Sequence, residues 1–274
     1  MAQEYLKTDK KKVTATRLLE MKGTEKIAMI TCYDYTSALI ADASEIDAIL
    51  VGDSASNTML GHDTTLPITM EEMITFTRAV TRAARHAFVV ADMPFGSVHG
   101  DEREALKNAV RMMKETGADA VKIEGGTQVL ESLKLILGAG IPVVGHLGLT
   151  PQAIHKLGGY GVQGRDSAAA DLLLSEAVKL DEIGVSAIVL EKIPSTLAKK
   201  VTKTVSVPVI GIGAGPDTDG QVLVFQDMLG ITQGFKPKFL RHFAELGTEM
   251  RRAFDAYASE VKAGTFPSID ESYA

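Results

Sequence analysis

The sequence predicts one (β/α)8 barrel, and three observations support this prediction. Eight short apolar runs alternate with helical patterns along the chain. None of the runs has the strict polar alternation of a strand with one wet face, which indicates a parallel sheet covered on both faces. Eight such units within about 250 residues are typical of this barrel. No linker-like change in composition divides the chain, so we expect one domain over residues 1–274, with a doubly wound open sheet as the alternative fold.

The predicted elements follow from these patterns in order. A short amphipathic helix over about 14–22 has Leu18, Leu19 and Met21 as its apolar side, and Gly23 ends it. The runs that predict strands cover 26–33, 48–51, 88–91, 120–123, 141–145, 187–190, 207–210 and 221–225. The patterns that predict helices after the first cover 36–44, 70–85, 102–116, 128–137, 167–183, 195–203 and, as a long closing helix, 239–262.

Local signals support several of these elements. Thr69 is a predicted N-cap, and Glu72 three residues later completes a capping box. Pro142 and Pro208 stand at the start of two strand-like runs, where a missing N–H is tolerated. The single cysteine, Cys32, lies in an apolar run, which predicts a buried core thiol.

Composition argues against several classes of function. The formal net charge is -6 and the chain has no basic block beyond Lys10–Lys12, so we do not expect nucleic acid as a partner. No apolar run approaches the roughly 20 residues that cross a membrane. The N-terminus lacks the apolar centre of a secretory signal, so we expect a cytoplasmic protein.

A charged pair on the fourth strand-like run gives the first indication of a site. Lys122 and Glu124 are two residues apart and therefore share a face, while Val121 and Ile123 form an apolar face opposite. Buried charges of this kind form either a structural ion pair or a functional site. Further polar residues end or follow other strands, and they are Asp53, Asp92, His146, Glu191 and the loop 211–215. Because barrel enzymes carry their function at the carboxyl ends of the strands, we expect these residues to meet.

Four carboxylates at one mouth predict a metal ion. Asp53, Asp92, Glu124 and Glu191 lie on separate strands and would repel one another, although each alone resembles a helix cap or turn residue. A divalent cation removes this repulsion. Oxygen ligands suit Mg²⁺, which prefers one or two carboxylates with waters and substrate oxygens. No zinc-type pairing such as His-Glu-x-x-His occurs. A carboxylate held apart from the metal would be a candidate general base.

Two glycine-rich segments have open interpretations. The loop 211–215 does not have the dinucleotide-binding pattern. It either cradles a phosphate or forms a tight turn where the backbone approaches a ligand, and we favour the turn. The segment 158–164, with Tyr160 and the following Arg165, is a candidate mobile loop, with a plain surface loop as the alternative.

Several short motifs occur at these positions. They are Leu50–Ser54, Gly61–Asp63, Thr65–Pro67, Ala91–Phe95, Val121–Gly126, Gly145–Gln152, Gly158–Arg165 except Gly161, Leu190–Glu191, Pro208–Gly215 and Thr218–Gln221. In this order, from about Thr14 to Pro267, the chain closely resembles the ketopantoate hydroxymethyltransferase family, also called 3-methyl-2-oxobutanoate hydroxymethyltransferases. Each motif alone is weak, but the set is specific.

The resemblance implies a fold, a reaction and an assembly. The fold would be a (β/α)8 barrel of the phosphoenolpyruvate mutase and isocitrate lyase type. The reaction would transfer a one-carbon unit from 5,10-methylenetetrahydrofolate to 3-methyl-2-oxobutanoate, giving 2-dehydropantoate in the pantothenate and coenzyme A pathway. Family members assemble as large rings, often decamers, so the resemblance implies a homo-oligomer of that kind.

The resemblance also assigns residues. The family's Mg²⁺ positions match Asp53, Asp92 and Glu124. Its contacts to the oxo-acid match Asp53, Ser54, Asp92 and Lys122.

The catalytic base of the family matches Glu191, and His146 is an accessory candidate at the same rim.

One segment departs from the family pattern. Family members usually carry Gly-Met three residues after Gly-Asp-Ser, whereas this chain has Ala55–Met59 without a glycine. The loss of that glycine restricts the backbone of this loop.

Two other functions compete with this one. A Mg²⁺-dependent carbon–carbon lyase or mutase would use the same barrel and an oxo-acid, but such a lyase is expected to carry a catalytic cysteine in a mobile loop, and Cys32 lies in the first strand-like run. An inactive barrel that serves as an assembly subunit would be expected to lack a site carboxylate or Lys122, and the chain retains them all.

Overall fold

Eight parallel strands close into one barrel in the order in which they occur in the chain, because β8 pairs with β1. The structure, a computed structural model, describes residues 10–234 and 236–273. The strands are β1 (Ile27–Thr31), β2 (Ala48–Val51), β3 (Phe88–Asp92), β4 (Ala120–Glu124), β5 (Val143–Gly148), β6 (Ala187–Glu191), β7 (Val209–Ile212) and β8 (Gly220–Leu223). The predicted (β/α)8 barrel is confirmed, and the open sheet is wrong.

Helices connect the strands and follow the predicted pattern. They are α1 (Ala15–Met21), α2 (Tyr35–Asp42), α3 (Ala55–Thr58), α4 (Met70–Ala83), α5 (Glu102–Thr116), α6 (Leu130–Gly138), α7 (Ile154–Leu157), α8 (Ser167–Glu182), α9 (Ser195–Thr204), α10 (Phe225–Met228) and α11 (Leu246–Ala263), with 3-10 turns at Thr127–Val129, Pro151–Ala153 and Ile269–Glu271. The short helices α3 and α7 lie in stretches predicted as loops. Among the described helices, none combines the length and the apolar character needed to cross a membrane.

Alternate strand residues fill the inside of the barrel. Ala120, Val144 and Val189 belong to one buried cluster with apolar residues of the other strands. Leu18 and Met21 of α1 join the same cluster, so this helix packs against the apolar interior of the barrel. In a strand the residue two positions further on shares the same face. The strands therefore direct a second set of side chains inward at their carboxyl ends.

Two local predictions are confirmed. Thr69 Oγ1 accepts a hydrogen bond from Glu72 N at 3.2 Å, and Glu72 Oε2 accepts one from Thr69 N at 2.8 Å, which completes the capping box. Cys32 is fully buried. Burial, with a smaller contribution from Asp34, raises the pKa of its thiol to about 12, so Cys32 is a core thiol.

The chain divides into two compact units, with the boundary between Val224 and Phe225. The second unit contains α10 and α11. Helix α11 begins at Leu246, not at 239 as predicted, because the preceding backbone forms other hydrogen bonds: Phe243 N donates to Met228 O at 2.8 Å and Leu246 N to Leu229 O at 2.9 Å. One barrel domain over residues 1–274 stays a prediction.

Candidate active site

The register of the strands brings the predicted polar residues to one end of the barrel. Asp92 is the last residue of β3 and pairs with Lys122 on β4. Glu124 is the last residue of β4 and pairs with His146 on β5. Glu191 is the last residue of β6. These five residues therefore meet at the carboxyl ends of the strands, as the sequence predicts.

Asp53 and Ser54 join this group from the segment after β2. The backbone N–H of Asp53 donates to Asp92 Oδ2 at 2.8 Å, which links the ends of β2 and β3. The hydroxyl of Ser54 lies 2.8 Å from the hydroxyl of Tyr33, which follows β1. Tyr33 is buried, so this contact connects Ser54 to the barrel interior. No sequence pattern identifies Tyr33 as a site residue, because an aromatic residue at the end of an apolar run indicates only a core position.

Lys122 is the cation at the centre of the cluster. Its Nζ lies 2.8 Å from Asp92 Oδ1, 4.0 Å from Glu124 Oε1 and 3.1 Å from His146 Nδ1. Burial by itself lowers the pKa of Lys122, but the carboxylates of Asp92, Glu124 and Asp53 together raise it above its ordinary value. Lys122 is therefore an ammonium ion shared by several carboxylates, and it is not part of a simple Lys–Glu ion pair.

His146 connects Lys122 to the predicted base. An ammonium group can only donate, so His146 Nδ1 accepts from Lys122 and the ring proton of a neutral imidazole lies on Nε2. Burial, followed by the charge of Lys122, lowers the pKa of His146 and keeps the ring neutral. Nε2 lies 3.4 Å from Glu191 Oε2. His146 thus lies between Glu191 and the carboxylates around Lys122, and its Nε2 is near Glu191 without forming a hydrogen bond within the described chain.

Two of the carboxylates near Lys122, those of Asp53 and Glu124, have raised pKa values. Burial, reinforced by Asp92 and Glu124, raises the pKa of Asp53 well above its ordinary value. Burial also raises the pKa of Glu124 to about 7, although Lys122 opposes this shift. Buried acidic groups with raised pKa values at the carboxyl ends of barrel strands are candidates for a functional site.

Gln152 is a site residue that sequence reasoning missed. It lies in the 3-10 turn after β5 and is buried. Its backbone N–H donates to Glu124 Oε2 at 2.9 Å, and its side-chain Nε2 donates to Asp53 Oδ2 at 3.0 Å. The only available signal was its place at the end of the motif Gly145–Gln152.

The atoms of the cluster fit a hard cation. Glu124 Oε1 and Gln152 Oε1 are buried and accept no hydrogen bond within the described chain. Glu124 Oε1 instead lies 3.2 Å from His146 Nδ1, an atom that already accepts from Lys122. Within residues 10–234 and 236–273, no three His, Cys, Asp or Glu side chains are grouped so that they could hold a metal ion by themselves. The unpaired oxygens of Glu124 and Gln152 suit an ion that completes its coordination shell with water and substrate oxygens, as Mg²⁺ does.

The backbone around Glu191 is closely constrained. Gly148 has φ +94, and a Cβ on this residue would lie 2.3 Å from the carbonyl oxygen of Glu191. Leu149 N donates to the same oxygen at 2.8 Å. Only glycine accepts both the left-handed backbone and this close approach. The end of β5 therefore holds the end of β6 in place.

The two glycine-rich segments contact neighbouring elements. Lys192, which follows Glu191 and has φ 44, donates through Nζ to the carbonyl of Tyr160 and accepts from Gln163 N at 2.9 Å. The segment 158–164 is thus attached beside the predicted base. In the loop 211–215, a Cβ on Gly215 would lie 2.4 Å from Ser195 Cβ, so this glycine allows close packing against the start of α9.

A closed parallel barrel that carries a buried cluster of ionisable groups at the carboxyl ends of its strands defines a (β/α)8-barrel enzyme. Solved structures of the phosphoenolpyruvate mutase/isocitrate lyase superfamily share this fold. A 2,3-dimethylmalate lyase of that superfamily superposes with a TM-score of 0.58 at 16% identity, covering 95% of this chain and 91% of the lyase. A phosphonopyruvate hydrolase in complex with oxalate and Mg²⁺ gives a TM-score of 0.61 at 13% identity, covering 94% and 93%.

The family is shown by sequence. The family model described as ketopantoate hydroxymethyltransferase matches residues 12–269. A 3-methyl-2-oxobutanoate hydroxymethyltransferase from Flavobacterium johnsoniae is 53% identical over 268 residues, which are 97% of this chain and 98% of that protein. The chain belongs to the ketopantoate hydroxymethyltransferase family.

Proposed function

We propose that this enzyme transfers the one-carbon unit of 5,10-methylenetetrahydrofolate to 3-methyl-2-oxobutanoate with the help of Mg²⁺, and forms 2-dehydropantoate. One observation carries the proposal beyond family membership. Asp92 and Glu124 lie within 4.0 Å of Lys122, Asp53 joins the same cluster through Gln152, and Glu191 lies on the far side of His146. This arrangement provides separate groups for binding an oxo-acid with a metal ion and for moving a proton.

Asp53, Asp92 and Glu124 would hold the Mg²⁺ ion, directly or through its waters. When ionised, these three carboxylates balance the combined charge of Lys122 and a divalent cation. Bound Mg²⁺ would supply Lewis-acid chemistry at the 2-oxo group, which acidifies the hydrogen on C3. The phosphonopyruvate hydrolase complex with oxalate and Mg²⁺ supports this choice of ion on a related barrel.

Glu191 removes the proton in this reaction, and Lys122 stabilises the charge that develops. Glu191 is 16% exposed, more than the other site carboxylates, so a substrate can reach it, and its carboxylate takes the C3 proton. Lys122 stabilises the negative charge that develops on the substrate oxygen. The enolate carbon then forms a bond to the methylene carbon of the folate. The methylene carbon loses both of its bonds to folate nitrogens, and in exchange it gains this carbon–carbon bond and a bond to the oxygen of a water molecule. The C3 proton and one water proton pass to the two nitrogens, and tetrahydrofolate leaves.

Ser54 and Lys122 would bind the oxo-acid with Asp53 and Asp92, as the family motifs imply. The hydroxyl contact between Tyr33 and Ser54 supports this role for Ser54, because it holds the serine hydroxyl at a fixed position.

A product assay tests the proposal. The purified chain is incubated with 3-methyl-2-oxobutanoate and 5,10-methylenetetrahydrofolate, and we expect 2-dehydropantoate that depends on the folate and disappears when Mg²⁺ is chelated. Failure to form the product under any metal condition would instead favour an inactive barrel. Cleavage or rearrangement of an oxo-acid would favour a lyase or mutase. The lyase is disfavoured because Cys32 is buried and its thiol has a raised pKa.

Assembly, pathway and location complete the proposal. We assign the enzyme to pantothenate and coenzyme A synthesis in the cytoplasm, as a homo-oligomer with the decameric ring common in the family. Met250, Phe254, Tyr257 and Val261 lie along one side of α11 at helical spacing, and an apolar stripe of this kind is typical of a packing surface. Light scattering coupled to size-exclusion chromatography measures the oligomeric state, and a monomer would contradict the ring.

A further inference from the structure

We propose that Gln152 is a positioning residue that fixes Asp53 and Glu124 for metal binding and accepts a hydrogen bond from a water of the hydrated cation. The inference rests on the proposed function and extends it to a residue to which neither the family motifs nor the sequence analysis assigned a role. It follows from three observations: the donors that Gln152 uses, the acceptor that it leaves free, and the turn that holds it.

The donors of Gln152 connect three strand ends. Its backbone N–H binds Glu124 Oε2 after β4, at 2.9 Å. Its side-chain Nε2 binds Asp53 Oδ2 after β2 and the carbonyl of Met93 after β3, both at 3.0 Å. Gln152, on the loop after β5, therefore holds one carboxylate oxygen of Asp53 and one of Glu124, and both residues are predicted to bind the metal.

These contacts determine the orientation of the amide. A primary amide has two N–H donors, and both find acceptors in Asp53 and Met93. The flipped amide would turn Oε1 toward the same two acceptors and lose both hydrogen bonds. Oε1 is consequently left as a buried acceptor without a partner in the described chain.

The unpaired acceptor Gln152 Oε1 indicates what kind of ligand binds beside it. A buried acceptor without a hydrogen bond is costly, and native proteins pair such atoms. Glu124 Oε1 has the same deficit, so two buried oxygen acceptors of the cluster have no hydrogen-bond donor within the described chain. Waters on a divalent cation donate hydrogen bonds and bring positive charge, and Mg²⁺ in proteins retains several of them.

The turn that carries Gln152 is itself well defined. Pro151 occupies its first position, where the fixed φ of proline suits a helical turn. Ala153 N donates to Thr150 O at 2.9 Å and closes the turn. Gln152 is 6% exposed. A buried side chain on a closed turn has few alternative conformations, which a positioning residue requires.

The test substitutes Gln152→Met, which keeps an unbranched side chain of similar length and the backbone N–H to Glu124, and removes the side-chain donors and the side-chain acceptor. Calorimetric titration of Mg²⁺ into the full-length protein with 3-methyl-2-oxobutanoate and without folate measures binding in the absence of turnover. We expect the dissociation constant of Mg²⁺ to rise about 10- to 100-fold, the usual effect of removing a residue that orients metal ligands. Gln152→Asn retains an amide that is one methylene too short to reach both acceptors, and it provides a second test if the methionine variant does not fold.

Ser132→Ala is the matched control. Ser132 is similarly buried, and its Oγ donates to Val98 O at 3.1 Å, so this change also removes a buried side-chain bond to the main chain. We expect Ser132→Ala to lower thermal stability without changing Mg²⁺ affinity. Unchanged Mg²⁺ affinity in a folded Gln152 variant would overturn the positioning role, while the product assay on the parent protein would still stand. A parent protein that binds no Mg²⁺ would overturn both proposals.

Discussion

Lys122 Nζ lies 2.8 Å from Asp92 Oδ1, and both side chains are at most 4% exposed. The two residues are direct neighbours in the register between β3 and β4, so the pairing of the strands creates the contact. Asp92 in turn accepts the backbone N–H of Asp53 through its other oxygen. The ion pair therefore joins the strand register to the geometry of the predicted metal site.

Replacement of Lys122 by methionine should destabilise the protein markedly. The change leaves Asp92, Glu124 and Asp53 without their shared cation in a buried site. Removing one partner of a buried ion pair costs about 3–5 kcal/mol in the free energy of unfolding. Urea denaturation in the absence of Mg²⁺ measures this loss, and we also expect weaker binding of the oxo-acid.

Lys107→Met is the matched control for this prediction. Lys107 forms its ion pair with Glu104 on α5, where both side chains are more than 60% exposed. Exposed pairs contribute little, so the control should unfold almost as the parent protein does. Equal stability of the two variants would show that Lys122 is not essential to the charge balance of the cluster.

Glu191→Gln should abolish proton removal while leaving substrate binding intact. The amide keeps the size of the side chain but cannot take the C3 proton. We expect Mg²⁺-dependent exchange of the C3 hydrogen of 3-methyl-2-oxobutanoate in D₂O, followed by NMR, to fall about 10²- to 10⁴-fold. Calorimetry should give the parent affinity for the oxo-acid. Glu182→Gln at the exposed end of α8 is the control, and undiminished exchange in Glu191→Gln would remove Glu191 from its role.

The sequence was sufficient to predict the barrel and to predict that most residues of the candidate site lie at one end of it, because both depend on simple periodicities. Apolar runs separated by helices define a parallel barrel, and the barrel brings all carboxyl ends of the strands together. Residues two apart share a face, so Lys122 and Glu124 had to point the same way. The register between neighbouring strands then places Lys122 beside Asp92 and Glu124 beside His146.

The parts that the sequence did not predict depend on contacts between distant residues, which no periodic sequence pattern indicates. Gln152 bonds to Asp53, which lies 99 residues away, and to Glu124, which lies 28 residues away. A neutral amide in a loop has no pattern that identifies such partners. The start of α11 was missed for a similar reason, since the residues before Leu246 resemble a helix but bond to the segment around Met228 and Leu229.

Gly148→Ala should impair catalysis through the position of Glu191. The added Cβ would lie 2.3 Å from the carbonyl oxygen of Glu191, so the end of β5 or the end of β6 must move. A displacement of about 1 Å at a reacting group can reduce the rate about 10²-fold. Asp53 follows β2, Asp92 lies on β3 and Lys122 lies on β4, away from this contact. We therefore expect the affinity for Mg²⁺ and oxo-acid to change much less than the rate of C3 exchange.

Gly117→Ala separates this effect from backbone strain alone. Gly117 ends α5 with φ +74, also in the left-handed region, but a Cβ there would meet no atom within 4 Å. The control variant should lose stability, because alanine disfavours this backbone, and should keep the parent exchange rate. If both alanine variants exchange the C3 hydrogen at the same rate, contact between Gly148 and Glu191 does not position the base. A selective loss in Gly148→Ala would show that the close approach of β5 to β6 is required for the proton transfer step.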